Sequence, residues 1–211
     1  MIPWRAARTD DRMRLVSWNC CKGPLSRKLA VLDALGVDVA IVSECPQTDG
    51  LAGWSHAWCG LSPNQGLAIL AREPYSLVPL PPAPDAAPFA LPVKVLGPLS
   101  FGVLGVWTQK EARYVEGLRS VLEAYRGLLN DGPSVLAGDL NSNSIWDSEH
   151  RPYCHSDFVA EMESQGLASS YHSFFHEPQG GETRATHHGR WSPATPFHID
   201  PVLFTTKLDE A

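Results

Sequence analysis

Three short apolar runs in this chain each stop on an amide or a carboxylate. Leu15 to Trp18 runs into Asn19, Val39 to Ser43 into Glu44, and Ser134 to Gly138 into Asp139, with Asn141 two residues on. A fourth run, Phe197 to Phe204 (FHIDPVLF), carries Asp200 inside it. Apolar runs of this length bounded by turn residues read as buried strands, and the strand ends of an α/β sheet are where ligands bind. Between the first two runs, Leu25, Leu29, Leu32 and Leu35 fall at helical spacing, with Gly36 as a C-terminal stop. Strand Arg14–Trp18, helix Leu25–Leu35 and strand Val37–Val42 therefore make a β-α-β unit.

The remaining pattern is read the same way. Short strands are predicted over Ser55–Cys59, Gly66–Ala71, Tyr75–Val78, Leu91–Val95 and Phe101–Trp107, with the proline-rich stretch Pro79 to Pro92 as an extended loop. A helix is predicted over Glu111–Leu129, a buried strand over Ser134–Ala137, a helix over Asp157–Gln165 capped by Ser156 or Asp157, and a last strand over Phe197–Phe204. The 211 residues suit one domain over 13–211, preceded by a flexible tail over 1–12.

Composition narrows the class. With 44% hydrophobic and 19% charged residues the chain is neither disordered nor fibrous. No apolar run approaches a membrane span or a signal-peptide core, so a soluble, cytoplasmic protein is expected, without membrane insertion. The five cysteines, Cys20, Cys21, Cys45, Cys59 and Cys154, are odd in number and lack a CxxC pair, so buried free thiols are expected. A zinc site using His56 with Cys59, or Cys154 with His155, is the weaker alternative. The net charge of −6 argues against tight non-specific DNA binding. It does not oppose an enzyme that meets a phosphate through a divalent cation, because carboxylate ligands make such a site acidic.

Gathered at one rim, Asn19, Glu44, Asp139, Asn141 and Asp200 would form an oxygen-rich site suited to Mg²⁺, with Mn²⁺ as the alternative. Phosphate-ester hydrolysis uses such a site: the metal neutralises charge, a carboxylate aims or deprotonates a water, and donors hold the phosphate oxygens. Taken singly, any of these residues could instead cap a helix or a turn.

In order, SWN, VSE, GDLN and HID resemble the endonuclease/exonuclease/phosphatase superfamily, across Met13 to Phe204. The resemblance implies a four-layer α/β/β/α sandwich of two packed β-sheets flanked by helices. It implies Mg²⁺-dependent phosphoester hydrolysis, most simply of the phosphodiesterase or endonuclease kind, on a phosphoester substrate that includes nucleic acid among its candidates. By the same resemblance Glu44 is the principal metal carboxylate and Asn19 helps organise the metal and Asp139. Asp139 orients or deprotonates the water, and Asn141 hydrogen-bonds the phosphate. Asp200 corresponds to an Asp that orients a later histidine.

That later histidine belongs to a Ser-Asp-His strand, yet only eleven residues follow Asp200 and none is His. The resemblance thus implies a C-terminally truncated member with a damaged site unless another histidine substitutes. His198 is the nearest candidate, two residues before Asp200, and His187 and His188 lie in the preceding loop. Pro201 stands where the family commonly has Tyr and suggests an edge or distorted strand. Trp107 lies near the place of a further family histidine, and Tyr114 is a candidate phosphate donor there or, equally, a packing residue on the Glu111–Leu129 helix. Trp146 and Trp191 are expected beside the rim, pinning loops or stacking on a base. A small-molecule or lipid phosphatase of the same superfamily, and a catalytically silent relative acting as a binding protein, are the alternative readings.

Overall fold

The computed structural model describes residues 12–84, 89–110, 113–205 and 208. Most of the expected tail, together with Glu111 and Ala112 at the start of the expected second helix, lies outside them. The first sheet contains β1 (Leu15–Asn19), β2 (Val39–Cys45), β3 (Ser55–Ser62) and β4 (Gln65–Ala71) in the order β1-β2-β4-β3. The second contains β5 (Ser76–Pro79), β6 (Ala90–Leu96), β7 (Phe101–Trp107), β8 (Ser134–Asp139), β9 (Leu167–Ser169) and, late in the chain, β12 (Val202–Thr205), in the order β5-β6-β7-β8-β12-β9. A two-stranded ribbon pairs β10 (His187–His188) with β11 (Pro196–Phe197). The helices are α1 (Leu29–Ala34), α2 (Tyr114–Asn130), α3 (His155–Ser164) and α4 (Ser170–Phe175).

Side-chain alternation along the strands builds the layers. On β2, Val39 and Ile41 face the second sheet, where they meet Leu67 and Ile69 of β4 and Val93, Val103 and Val135. Ala40 and Val42, on the opposite face, pack with Leu25, Leu32 and Trp54. On the second sheet Leu104, Val106, Leu136 and Leu203 turn outward against Leu118, Leu122, Phe158 and Met162 of α2 and α3. Helices, sheet, sheet and helices are the expected four-layer sandwich. β1, which ends at Asn19, runs parallel to β2, which carries Glu44 just before its last residue, and β7 runs parallel to β8, which ends at Asp139. Parallel pairing puts the ends of each pair on one rim.

Several expectations need correcting. The first helix splits into a 3₁₀ turn over Leu25–Arg27 and the shorter α1, closed by Gly36 at φ 65°. The expected loop Pro79–Pro92 and strand Leu91–Val95 overlap, and Pro92 falls to the strand: it lies inside β6 and pairs with Leu104 beyond the β5 ladder, where no donor is needed. Helix α3 begins at His155 with Cys154 as its N-cap, and the Asp157 carboxylate accepts the Cys154 N–H at 2.9 Å. The run Phe197–Phe204 is not one strand: β11 ends at Phe197 and β12 begins at Val202. Nor is β12 an edge. It lies between β8 and β9, and Pro201 stands just before it, where its missing N–H costs nothing.

Candidate active site

Asn19 closes β1, and its Nδ2 donates to Glu44 Oε1 at 3.0 Å and to Asp139 Oδ2 at 2.8 Å. Its Oδ1 accepts the Cys21 N–H at 3.0 Å, which fixes the amide orientation. One amide therefore joins the rims of both sheets.

Glu44 reaches this point through a distortion. The register of β2 against β4 slips between Ser43 and Cys45, and Glu44 adopts φ 57°. A non-glycine residue in the left-handed region is strained by roughly 1–3 kcal/mol, and such strain gathers at functional sites. The bulge aims the Glu44 side chain at Asn19 instead of leaving it in the alternation of the strand.

Asp139 ends β8 and is 2% exposed. Gly138 before it has φ 142°, and an added Cβ would overlap the carbonyl oxygen of Val106. Glycine is the residue that fits there. Asp139 Oδ1 accepts the Asn141 N–H at 3.0 Å, while Asn141, at φ 47°, donates Nδ2 to Thr108 O at 3.3 Å. Leu140 N donates to Ile199 O at 2.9 Å, which brings the 198–200 segment beside the end of β8. Thr186 Oγ1 then accepts the N–H groups of Ile199 (3.0 Å) and Asp200 (3.2 Å).

The three carboxylates act on one another. Burial pushes the Asp139 carboxyl up; hydrogen bonds from Asn19 and the Asn141 N–H oppose that, the Glu44 charge adds to it, and the His187 imidazole lowers it. Burial also pushes Asp200 up, and the charges of Asp139 and Glu44 add to that shift. Asp200 Oδ1 is buried without a hydrogen-bond partner. Among the described residues no Lys or Arg forms an ion pair with any of the three.

That donor set fits a hard divalent cation. Oxygen ligands from carboxylates and an amide suit Mg²⁺, and an orphaned buried carboxylate oxygen is one that a cation or its water would satisfy. Among the described residues no three His, Cys, Asp or Glu side chains close around one point. A partial shell of this kind is how Mg²⁺ is usually held, with waters and substrate phosphate completing the octahedron. Neither cysteine–histidine pair makes a zinc site: His155 Nδ1 pairs with Ser142 Oγ at 3.0 Å, His56 Nε2 with Thr48 O at 3.0 Å, and all five thiols are free.

The structure does not bring His198 to this rim. Its Nδ1 pairs with Arg184 O at 3.0 Å, and its ring packs 4.3 Å from Tyr171 in a cavity shared with Ser142, His155, His172 and Glu182. Two residues apart in a regular strand, His198 and Asp200 would share a face; the break before β12 separates them. Tyr114 opens α2 and is half-buried. Trp107 pairs in register with Asp139. Trp146 packs on Phe197 with ring centroids 5.0 Å apart and planes tilted by 51°, pinning its loop, whereas Trp191 is 83% exposed.

Sequence reasoning missed three contributors. Thr186 clamps Asp200, Thr108 supplies the carbonyl that Asn141 meets, and Asn143 Nδ2 ties Glu182 (3.2 Å) to His198 O (3.0 Å). For Asn143 the signal was present, an Asn two residues past GDLN's own Asn. For the threonines no local pattern existed.

Comparison with known proteins gives the family and the fold. Residues 16–209 match the profile of the Endonuclease/Exonuclease/phosphatase family. No curated protein matches the chain. Among solved structures it is similar to the catalytic domain of Xenopus laevis APE2, with a TM-score of 0.68, 15% identity and coverage of 94% of this chain and 84% of that one. An AP endonuclease from Archaeoglobus fulgidus gives 0.66 and 15%, covering 94% and 89%. The 3′ phosphatase NExo from Neisseria, bound to product DNA hairpin, gives 0.64 and 18%, covering 95% and 89%. Among the described residues no helix is long and apolar enough to cross a membrane.

Proposed function

The chain belongs to the Endonuclease/Exonuclease/phosphatase family, and from that premise we propose that it is a Mg²⁺-dependent phosphodiesterase of the endonuclease kind. The observation that carries this reading is the Asn19 amide held between Glu44 and Asp139. Glu44 and Asn19 would hold the metal, with Mn²⁺ as a substitute. When bound, the ion would neutralise phosphate charge and polarise a phosphate oxygen.

The other steps belong to the chain's own residues. Asp139 accepts the proton of the attacking water, because its Oδ2 is fixed by Asn19 and its Oδ1 by the Asn141 N–H. Asn141 has a second Nδ2 hydrogen beyond the one directed to Thr108 O, and it donates that hydrogen to the phosphate as negative charge builds on its oxygens. Asp200, clamped by Thr186, adds a buried carboxylate oxygen that helps orient the groups around the phosphate. Tyr114 is the further phosphate donor this reading allows.

DNA is the substrate class suggested by the likeness to the Neisseria 3′ phosphatase bound to product DNA hairpin. A small phosphoester is the second reading, and charge favours it. The net charge is −6, and Arg184 is engaged by Glu177 at 3.5 Å and by the Phe175 ring at 3.9 Å. A polynucleotide groove needs a row of free cations. Plasmid nicking, bis-p-nitrophenyl phosphate and p-nitrophenyl phosphate, each assayed in Mg²⁺ and in EDTA, separate the readings. Diester cleavage that requires Mg²⁺ supports the first; monoester turnover alone supports the second; turnover indifferent to EDTA contradicts both.

A further inference from the structure

We propose that His187 is a catalytic residue of this site, donating a ring N–H to the phosphate oxygens between Asp139 and Asp200. The proposal rests on the phosphoester-hydrolase reading and names a group that reading does not use.

The backbone places His187 at the rim. Its neighbour Thr186 bonds Phe197 O through its N–H at 2.9 Å and receives the N–H groups of Ile199 and Asp200 on its hydroxyl. Ile199 O in turn receives Leu140 N, one residue past Asp139. His187 is thus one residue from the clamp on Asp200, and that clamp is joined directly to the end of β8. Gly189 N closes the ribbon on Thr195 O at 2.9 Å. An added Cβ at Gly189 would press on the Phe197 ring at 3.1 Å, so the ribbon packs closely there.

The ring is also oriented. Phe197 carries Trp146 at 5.0 Å and the His187 imidazole nearly parallel, at 6.4 Å and 15°. Strand alternation sends His188 to the opposite face. The His187 imidazole lies near enough for its charge to act on Asp139. Other histidines are engaged elsewhere: His155 with Ser142, His172 with Ser169 and Glu182, His198 with Arg184 O. His187 is exposed, so a substrate reaches its ring nitrogens. Among the described residues the three carboxylates have no Lys or Arg ion-pair partner; their charge repels a phosphate, and a donor on this side answers that need beside any metal.

The test compares His187→Gln, His188→Gln and Asp139→Asn for Mg²⁺-dependent hydrolysis and for inhibition by inorganic phosphate. His187→Gln is expected to lower kcat by about 10²-fold, the usual cost of one transition-state donor, and to weaken inhibition by phosphate about tenfold. His188→Gln is expected to stay within about twofold on both counts, and added imidazole is expected to restore part of the rate of His187→Gly. Circular dichroism of each variant checks the fold. If His187→Gln keeps rate and phosphate inhibition within about threefold while Asp139→Asn is inactive, the proposal fails and the hydrolase reading stands. If the wild-type protein shows no Mg²⁺-dependent turnover, the hydrolase reading fails and His187 loses its role with it.

Discussion

Asn19 Nδ2 lies 2.8 Å from Asp139 Oδ2, a hydrogen bond between residues 120 positions apart that joins the two sheets at their common rim. The same nitrogen meets Glu44 Oε1 at 3.0 Å. Replacing Asn19 with Ala removes both bonds and leaves the buried Asp139 and the half-buried Glu44 without their shared donor. The expected cost is about 10–100-fold in rate or metal affinity, as for groups that orient metal ligands elsewhere. Steady-state rates against Mg²⁺ concentration measure it. Unchanged kcat and unchanged Mg²⁺ dependence would remove Asn19 from the site.

Glu44 offers a case where stability and function separate. Its φ of 57° suits glycine, and its charge adds to the repulsion on Asp139 and Asp200. Glu44→Gly is therefore expected to raise unfolding stability by about 1 kcal/mol while abolishing Mg²⁺ binding. Urea denaturation and calorimetric Mg²⁺ titration read the two effects. A destabilised Glu44→Gly would show that the bulge is held by the side chain, and unchanged Mg²⁺ affinity would take Glu44 out of the metal set.

Gly138 sits where no side chain fits. With φ at 142° and the Val106 carbonyl against the Cβ position, Gly138→Ala must move β7 from β8. A loss of roughly 4 kcal/mol or more is expected, in the range reserved for strain at a special backbone conformation. Denaturant midpoints test this. A variant within about 1 kcal/mol of wild type would contradict the packing described for this rim.

His155 sets a pH dependence of stability. Burial drives its imidazole down to about 4, against the pull of Asp147 and Glu182. Above pH 6.5, the ordinary histidine value, it is neutral in both states and its contribution is complete. As pH falls below 6.5 the unfolded chain protonates first, so stability drops until about pH 4, by up to about 3 kcal/mol. His155→Asn is expected to flatten that part of the curve. Equal slopes for wild type and variant between pH 6.5 and 4 would contradict it.

The legible parts of the fold were those with local periodicity. The continuous apolar run Val39–Val42, helical spacing in α2 and the GDLN turn each carry a short-range signal. So did the rim residues Asn19, Glu44, Asp139 and Asn141, because each interrupts or follows an apolar run. The break at His198–Pro201 was hidden, since Phe197, Ile199, Val202 and Leu203 read as one strand and the ribbon partner of Phe197 lies at His187. A cysteine N-cap gives weak sequence signal, which is why α3 was expected to start later. The left-handed turn at Glu44 had no glycine to announce it. The burial of His198 with His155, His172 and Glu182 joins groups from separate loops, which no window of sequence contains.

Asp139 is proposed to activate water for Mg²⁺-dependent phosphoester hydrolysis. The most direct measurement is diester hydrolysis in Mg²⁺ by wild type and by Asp139→Asn. The substitution keeps the shape of a buried side chain, so thermal unfolding is expected to match wild type or exceed it, since it relieves a buried charge. Mg²⁺-dependent turnover is expected in the wild-type protein, with at least about a 10²-fold loss in the variant. A folded Asp139→Asn that retains most of the wild-type rate would contradict it.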